Sequence, residues 1–538
     1  MKIFNTYDWM AVVTYLFIII GIGVWAGLRQ RRKGKTGEAG REYFLAGGHL
    51  NWIVIGLALF STNISTVHLV SLAEEGFKNG LAYGNFEWMA PFTLIILALF
   101  FAPFYIKTKV PTLPDFLEMR YSRNCRIWLA IVSMCAAVAI HIGFALFAGA
   151  TVLHGLFGIP VMTSIICLGI LVAFYTSIGG LMAVVAAESF QTIILITGSL
   201  ILTSIGFVEV GGWSGLAANV EPVKLTILRP EGDASNIPWY TILLGYPIIG
   251  IWYWCTDQTI VQRVLGAKDQ NHARVGPLFA GFLKILPVFI LVLPGLICAA
   301  LVHQNKLVPP AGWDSRETYA FLVANLLPTG LKGIMAAALM AALMGAVSGA
   351  MNSIATLFCY DVIKPLRPEI SDRKLVMSGR IVTWIGMALA VCWSPLLGRF
   401  PTVFQGINAM ICYVAPPLTV VFVAGVFWRK ATARAAFITM VSGSALGFIV
   451  FLLDWFKKST GWHLNFMMAS FYLAVACAVI LVIASTIRPQ PLTGKQAALV
   501  WRNPMEALKA PGWPGLGNYK VLAGILLITM VSLYLIFK

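Results

Sequence analysis

Long apolar runs follow one another along almost the whole chain and are separated by short polar segments. Runs such as Ile285–Leu301 and Val521–Phe537 are long enough for helices that cross a hydrocarbon core of about 30 Å. Short strands of alternating polarity, which a membrane β-barrel requires, do not occur in the sequence. We therefore predict an all-α integral membrane protein with about 14 transmembrane helices. The predicted spans are 9–28, 50–76, 83–106, 127–155, 160–179, 184–208, 239–258, 277–302, 331–358, 377–397, 401–427, 433–454, 466–487 and 519–537.

Polar residues interrupt the second predicted span. The segment Ser61–His68 separates the apolar stretches Val54–Phe60 and Leu69–Ala73. An unpaired polar group in hydrocarbon costs several kcal/mol, so such a cluster must line a cavity or be buried in protein. Broken helices are typical of secondary transporters with inverted repeats. A Ser/Thr-rich helix that packs closely on its neighbours is the alternative interpretation.

The eleventh predicted span has similar interruptions, at Gln405–Asn408 and at Pro416–Pro417. We predict two five-helix inverted repeats, 50–208 and 239–427, each beginning with a helix that is broken near the membrane midplane. An extra span at 9–28 precedes the repeats, and extra spans at 433–537 follow them. No segment has the composition of a soluble domain, so residues 1–538 are predicted to form a single transmembrane domain.

The composition supports the membrane interpretation. Hydrophobic residues make up 59% of the chain and charged residues 11%, with a mean hydropathy of +0.82, whereas soluble globular proteins have about 25% charged residues. Nine cysteines include no CxxC pair and lie mostly inside apolar runs, which favours neither a disulfide framework nor a zinc site. Ala11–Leu28 resembles a retained first span more than a cleaved signal peptide.

The formal net charge of +17 has a topological explanation. Basic residues are concentrated in six alternate loops, within 29–41, 107–126, 263–274, 364–380, 429–434 and 488–509. This asymmetry is expected of cytoplasmic loops and requires no nucleic-acid partner. It predicts that both termini lie outside the cytoplasm, which agrees with an even number of spans.

Polar and ionisable side chains inside the apolar runs are candidates for a binding site, because such groups are rare at this depth and usually functional. They are Asn63, His68, Glu87, Glu188, Tyr253, Trp254, Asp257, Lys284 and Asn408. Glu87 and Lys284 have opposite charges, so each can offset the desolvation of the other. A carboxylate accepts hydrogen bonds, an ammonium donates them and an amide does both, while Tyr253 and Trp254 provide stacking faces. This set suits a neutral sugar or polyol better than an anion.

Three aromatic residues stand together in Trp252–Trp254, for which an interfacial aromatic belt is the alternative explanation. The whole segment Trp252–Leu265 resembles the sixth core helix of the sodium–glucose cotransporter branch of the sodium/solute symporter family. Tyr175–Ala183 resembles the general signature of this family, and Phe86–Trp88 and Gly281–Lys284 resemble its sugar branch. The resemblance covers about residues 40–455.

The resemblance implies a LeuT-like core and places Tyr253 and Asp257 at an inner gate. Asn408 stands where the sugar branch usually has Gln, so its amide has a shorter reach. Gly250 stands where relatives have a polar side chain, which predicts a wider pocket at that position. The residues that the resemblance assigns to sugar binding are Asn63, His68, Glu87, Tyr253, Trp254, Lys284 and Asn408.

The sodium site that the resemblance implies is incomplete in this chain. Its backbone carbonyls would come from near Ser61 and Ile64 and from Ala342, but Gly345 and Ala346 replace two hydroxyl ligands. Sodium is a hard cation that needs oxygen ligands, so this loss predicts a weak site.

Glu188 stands near this site where relatives have Asp. It could ligate sodium itself together with Ser189 or Ser61, or sodium coupling is lost and Glu188 carries a proton or has only a structural role. A third interpretation is a side chain that snorkels from the membrane edge to the cytoplasm.

Together these features predict a multi-pass transporter of the plasma (cell inner) membrane that imports a neutral sugar or polyol by alternating access. Sodium symport is the leading mechanism through the resemblance, and proton-coupled or uncoupled transport is the alternative. A membrane sensor that binds sugar without moving it is an alternative of another class. The sequence contains no nucleophile–base cluster, P-loop or HExxH motif, so we expect neither an enzyme nor direct ATP drive. The expected partners are the substrate and the lipid bilayer, with no obligate protein partner and no cofactor besides the coupling ion.

Overall fold

The structure is a computed structural model of the chain, and it describes residues 5–15, 17–18, 50–64, 66–108 and 113–538. The side chains of residues 61, 66, 175–192, 259, 352, 360, 365, 372, 373 and 376 lie outside the described part. Most of the predicted span 9–28 and the side chains of Ser61 and Glu188 therefore lie outside it.

Helices account for all regular secondary structure in the described residues, apart from two isolated β-bridges. A helical segment at 6–15 comes first. The α-helices that follow are α1 Trp52–Asn63, α2 Thr66–Asn79, α3 Asn85–Trp88, α4 Ala90–Ile96, α5 Ala102–Thr108, α6 Leu113–Arg120, α7 Arg123–Ala136, α8 Gly143–Phe157, α9 Val161–Glu209, α10 Gly212–Asn219, α11 Trp239–Ile251, α12 Gln258–Leu265, α13 Gln270–Leu283, α14 Leu293–His303, α15 Thr318–Leu326, α16 Leu331–Leu357, α17 Lys364–Leu366, α18 Asp372–Trp393, α19 Val403–Phe427, α20 Ala433–Trp455, α21 Lys457–Thr460, α22 Phe466–Ile487, α23 Gly494–Ala498 and α24 Tyr519–Ile536. Turns of π-helix lie at Leu97–Phe101, Ala137–Ile142, Trp252–Thr256, Val288–Val292 and Phe358–Ile363, and 3₁₀ turns at Gly80–Gly84, Pro222–Leu225, Ser315–Glu317, Ser394–Arg399, Pro504–Lys509 and Gly515–Gly517.

Two of the predicted spans are broken helices. Helix α1 ends at Asn63, Ile64 is extended with φ −85° and ψ 111°, and α2 begins at Thr66. The prediction of an interruption within 61–68 is therefore confirmed. In the second half of the chain, α11 continues into the π turn Trp252–Thr256, and Asp257 is then extended with φ −83° and ψ 129°. Both predicted repeats thus begin with a broken helix.

The prediction that the eleventh span is interrupted is wrong, because α19 is continuous from Val403 to Phe427. Pro417 cannot donate a hydrogen bond to the carbonyl of Tyr413 one turn earlier. Helix α20 packs against this carbonyl at Gly447, where a Cβ atom would lie only 2.0 Å from the Tyr413 oxygen. Close packing of a glycine thus covers the freed carbonyl, and the helix continues through both prolines.

The described residues contain nine helices that are long and apolar enough to cross a membrane, or ten if the bent pair Ile193–Glu209 and Gly212–Asn219 is one span. This is fewer than the 14 predicted spans, for three structural reasons. The predicted spans 50–76 and 239–258 are each divided into shorter helices. The spans 160–179 and 184–208 fall in one helical stretch, α9, whose fully described parts, Val161–Phe174 and Ile193–Glu209, are each too short to be counted alone. The span 9–28 is described only to residue 18.

Helix α13 follows the loop after the second broken helix and packs across the first broken helix. It packs against α1 and α4, and Lys284 follows directly at its C-terminal end. Helix α14 packs against α2. These contacts bring the C-terminal end of α13, which is followed by Lys284, to the end of α1, where Asn63 lies.

Two buried carboxyl groups tie the far end of α2 to the start of α19. Glu74 accepts a hydrogen bond from the Val403 backbone N–H at 3.0 Å and forms an ion pair with Lys78 at 3.2 Å. The neighbouring Glu75 accepts a hydrogen bond from the Thr402 hydroxyl, which also caps α19.

Arg316, from the 3₁₀ turn Ser315–Glu317, extends this cluster. Its Nε lies 3.9 Å from the Glu74 carboxylate, and Nη2 donates to the carbonyls of Gly398 and Phe400 at 3.0 and 2.9 Å. The end of α2, the segment before α19 and the 314–317 turn are thereby joined by charge-assisted hydrogen bonds.

Candidate substrate site at the two broken helices

Lys284 is the centre of the candidate site. Its Nζ donates to the carboxylate of Glu87 and to the amide oxygen of Asn63. The side chains of Lys284 and Glu87 are 1% and 4% exposed. A buried charge is tolerated only when it is paired and hydrogen-bonded, and this arrangement satisfies both conditions. The structure thus brings together three of the predicted residues, from α1, α3 and the end of α13.

Tyr253 connects the first broken helix to the second. The Asn63 amide nitrogen donates to the Tyr253 hydroxyl at 3.0 Å. Asn63 therefore uses its oxygen for Lys284 and its nitrogen for Tyr253, and it links the two broken helices directly.

Trp254 supplies an aromatic wall beside the buried ammonium. It is 2% exposed, and Lys284 Nζ lies 5.6 Å from the centre of its ring, which is within cation–π distance. The rings of Tyr253 and Trp254 meet edge to face, with centroids 5.0 Å apart. An aromatic face next to paired hydrogen-bonding groups is an arrangement that can hold a polyhydroxylated ring.

His68 and Asn408, the other two predicted sugar contacts, are on helices α2 and α19. His68 is half-buried on α2 and lies within electrostatic range of both Glu87 and Lys284. Asn408 is buried on α19, and its amide nitrogen donates to the Phe404 carbonyl one turn earlier at 2.9 Å. That bond uses one of the two N–H groups of the amide, so the amide oxygen and the second N–H are the groups that Asn408 can offer to a substrate.

The wider pocket expected at Gly250 is not present. Gly250 is buried, and a Cβ atom there would lie 2.6 Å from Cε1 of Tyr246 and 2.8 Å from Cγ2 of Thr93. Neighbouring side chains therefore fill the space that a polar side chain takes in relatives. The prediction is wrong because the ring of Tyr246, four residues earlier, occupies the space beside Gly250.

Asp257 lies in the break of the second broken helix. The Tyr105 hydroxyl donates to the carbonyl of Cys255 at 2.6 Å, so one of the carbonyls next to the break is hydrogen-bonded. Asp257 lies within electrostatic range of Tyr253 and of His141. His141 was not selected from the sequence, although the general rule that intramembrane ionisable residues are functional would have selected it.

Only part of the predicted ion site lies within the described residues. Ile64 is at the break after α1, and Ala342, Gly345 and Ala346 lie within the continuous helix α16. Those three α16 residues have no side-chain oxygen, so any ligand from them is a backbone carbonyl. Because sodium needs several oxygen ligands, this part of the donor set is poor. The side chains of Ser61 and Glu188, the other predicted contributors, lie outside the described residues.

The chain was compared with known proteins. It matches the sodium:solute symporter family over residues 43–443. A sodium/glucose cotransporter 4 from Danio rerio is 32% identical over 476 residues, which are 83% of this chain and 72% of that protein. A sodium/myo-inositol cotransporter 2 from Oryctolagus cuniculus is 32% identical, over 85% of this chain and 71% of that protein. A sodium/mannose cotransporter from Bos taurus is 33% identical, over 92% of this chain and 89% of that protein.

Solved structures support the same assignment at the level of the fold. A Na⁺-coupled sialic acid symporter in a substrate-bound outward-open state is similar with a TM-score of 0.74 and 19% identity, over 91% of this chain and 100% of that chain. A nucleobase-cation-symport-1 family transporter with bromovinylhydantoin bound is similar with a TM-score of 0.51 and 12% identity, over 84% and 96%. At these identities the likeness shows the fold alone, which is that of multi-pass symporters. The chain therefore belongs to the sodium:solute symporter family, a family of membrane transporters rather than of enzymes.

Proposed function

We propose that this protein transports a neutral sugar or polyol by alternating access. The observation that carries the proposal is the buried group formed by Lys284, Glu87 and Asn63 beside the face of Trp254. Before a substrate binds, these groups satisfy one another's hydrogen bonds. A polyol supplies hydroxyl groups that both donate and accept, so it can enter this network without leaving a polar group unpaired.

The charges of the group favour a neutral substrate. The ammonium of Lys284 is compensated by the carboxylate of Glu87, so no cation is left over for an anionic substrate. The relatives are named for glucose, myo-inositol and mannose transport, and all three substrates are neutral and polyhydroxylated. We propose direct contacts with the substrate for Asn63, His68, Glu87, Tyr253, Trp254, Lys284 and Asn408.

Sodium is the coupling ion that we propose first, because the relatives are named as sodium cotransporters. The ligands would be carbonyls near Ser61, Ile64 and Ala342, with Glu188 in place of the missing hydroxyls. Gly345 and Ala346 favour a second possibility, in which a proton is coupled through Glu188 or no ion is coupled. The coupling matters because each charge that moves down 100 mV supplies about 2.3 kcal/mol.

The proposed setting is the plasma membrane, with both termini outside the cytoplasm and the chain folded as one transmembrane domain. We propose that 50–208 and 239–427 are inverted five-helix repeats, which is supported by the broken helix at the start of each. Tyr253 and Asp257 would belong to the inner gate, because both lie where the second broken helix is interrupted. The substrate would leave towards the cytoplasm when this region moves.

Uptake into proteoliposomes tests the proposal. Purified protein should accumulate labelled glucose, galactose, mannose or myo-inositol, and an inward sodium gradient should increase the accumulation. Equal uptake after replacement of sodium by choline would exclude sodium coupling, and a pH gradient then tests the proton alternative. Binding of a sugar without any entry into the vesicles would identify a sensor instead.

A further inference from the structure

Tyr246 of α11 lies between the two walls of the candidate site. It is 4% exposed, and its hydroxyl donates to the carbonyl oxygen of Phe86 at 3.0 Å. Phe86 precedes Glu87 in the short helix α3. The same hydroxyl is within hydrogen-bonding reach of the Trp254 side chain. One side chain therefore contacts both the segment that carries the carboxylate and the aromatic wall.

The Tyr246 ring occupies its position because residue 250 is glycine. Any side chain at Gly250 would bring a Cβ atom to 2.6 Å from Cε1 of Tyr246, which is closer than two carbon atoms approach. The ring also meets the ring of Phe86 edge to face, with centroids 6.0 Å apart. Aromatic rings with few rotatable bonds hold their neighbours at a fixed distance, so this contact is rigid.

We propose that Tyr246 is a positioning residue of the sugar site, which sets the separation of Glu87 and Trp254 and thereby selects among sugars and polyols. This inference rests on the proposed function and adds a specificity determinant to it. A binding site must hold its groups within a fraction of an ångström of the productive geometry, so residues that fix them affect selectivity without touching the substrate.

Two substitutions at residue 246 separate the hydroxyl from the ring. Tyr246→Phe removes the hydrogen bond to the Phe86 carbonyl, and we expect KM for the transported sugar to rise about three- to tenfold, as the loss of one such bond predicts. We expect turnover to change less than KM. Tyr246→Met also removes the rigid ring, and we expect the ratio of the KM values for glucose and myo-inositol to change by about threefold or more.

Tyr319→Phe is the matched control. Tyr319 is as buried as Tyr246, and its hydroxyl is hydrogen-bonded to Ser199, 2.8 Å away, on helices α15 and α9, which carry none of the proposed sugar contacts. This variant should lose similar thermal stability but keep KM and the glucose-to-myo-inositol ratio. If Tyr246→Phe and Tyr246→Met also keep both values, the proposed role of Tyr246 is wrong.

A double substitution tests whether the ring of Tyr246 excludes a side chain at residue 250. Gly250→Ser alone should weaken sugar binding by more than about tenfold, because its Cβ collides with the tyrosine ring. In combination with Tyr246→Met, whose flexible side chain can move aside, part of the affinity should return, because the contact with Cγ2 of Thr93 remains. Additive losses in the double variant would contradict the inference.

Failure of this inference is distinguishable from failure of the proposed function. If the unsubstituted protein binds none of glucose, galactose, mannose and myo-inositol, the proposed function fails and this inference fails with it. If the unsubstituted protein transports one of them and the Tyr246 variants keep its selectivity, only the role of Tyr246 is refuted. Circular dichroism and thermal unfolding of each variant show whether a loss of transport is a loss of fold.

Discussion

Lys284 donates a hydrogen bond to Glu87 although the two residues are separated by 197 positions in the chain and both side chains are almost completely buried. The pair explains how the protein holds two full charges inside an apolar bundle. Each charge compensates the other, and the amide oxygen of Asn63 accepts a second hydrogen bond from the ammonium. Removal of either partner leaves the other buried without compensation, which costs about 3–5 kcal/mol in soluble proteins.

We therefore predict that Lys284→Met abolishes sugar binding and lowers the thermal stability. The substitution keeps much of the side-chain volume but leaves Glu87 buried with no ammonium partner. Binding of labelled sugar and the Tm in detergent measure the two effects. The double variant Lys284→Met with Glu87→Gln should regain much of the stability, because no uncompensated charge is left, but it should not regain binding. An unchanged sugar affinity in Lys284→Met would mean that the substrate binds elsewhere.

Asn408 should tune affinity rather than determine it. One N–H of its amide is held by the Phe404 carbonyl, so its oxygen and its second N–H are the groups left for a substrate. We predict that Asn408→Ala weakens sugar binding by about tenfold, the equivalent of one hydrogen bond. Asn408→Gln extends the amide by one methylene and should change the preference among sugars more than the stability. Competition of several sugars against one labelled sugar measures both variants, and equal inhibition profiles for all three proteins would place Asn408 outside the pocket.

Restoring hydroxyl groups to α16 should strengthen sodium binding. The variant Gly345→Ser with Ala346→Ser adds two oxygen ligands at the positions where relatives have hydroxyls, and hard cations bind more tightly as oxygen ligands are added. We predict that the sodium concentration for half-maximal uptake falls by about tenfold or more. The variant Met344→Leu, at a neighbouring position without a predicted ligand, serves as the control. An unchanged sodium dependence would show that these α16 positions do not face the ion.

Glu188 provides a test of the coupling mechanism that is independent of α16. We predict that Glu188→Gln abolishes accumulation of sugar against a gradient but spares sugar binding, because the substitution removes the charge that either ligates sodium or carries a proton. Equilibrium binding and uphill uptake in the same preparation separate the two effects. Full accumulation by the variant would limit Glu188 to a structural role.

Arg316 should keep the far end of α2 closed against the segment that precedes α19. Its guanidinium contacts Glu74 and the carbonyls of Gly398 and Phe400, and hydrogen bonds of charged groups contribute about 1.5–3 kcal/mol each. We predict that Arg316→Ala lowers the Tm and increases thiol labelling of a cysteine introduced at the buried Ser71. Arg399→Ala, which removes only a cation–π contact with Trp455, should change neither. Slow labelling in both variants would show that Arg316 does not restrict access.

The candidate site could be predicted from the sequence to the extent that its residues are chemically unusual for their surroundings. A polar segment inside an apolar run must be buried or line a cavity, so 61–68 predicted the break after Asn63. Opposite charges at Glu87 and Lys284 predicted a pair for the same reason. The same rule would have selected His141, which lies inside an apolar run, whereas its relation to Asp257 depends on the packing of two distant helices.

The sequence by itself determined that this is a membrane protein of many helices, because the hydrophobic effect acts on composition and run length. It also determined which polar groups need partners, because the bilayer core offers none. Only the tertiary structure decided which residues are the partners of these polar groups. Gly250 leaves no cavity because Tyr246 and Thr93 fill it, and α19 continues through two prolines because Gly447 packs on the freed carbonyl. Both outcomes depend on the shapes of neighbouring side chains and helices, which the pattern of hydrophobic and polar positions does not contain.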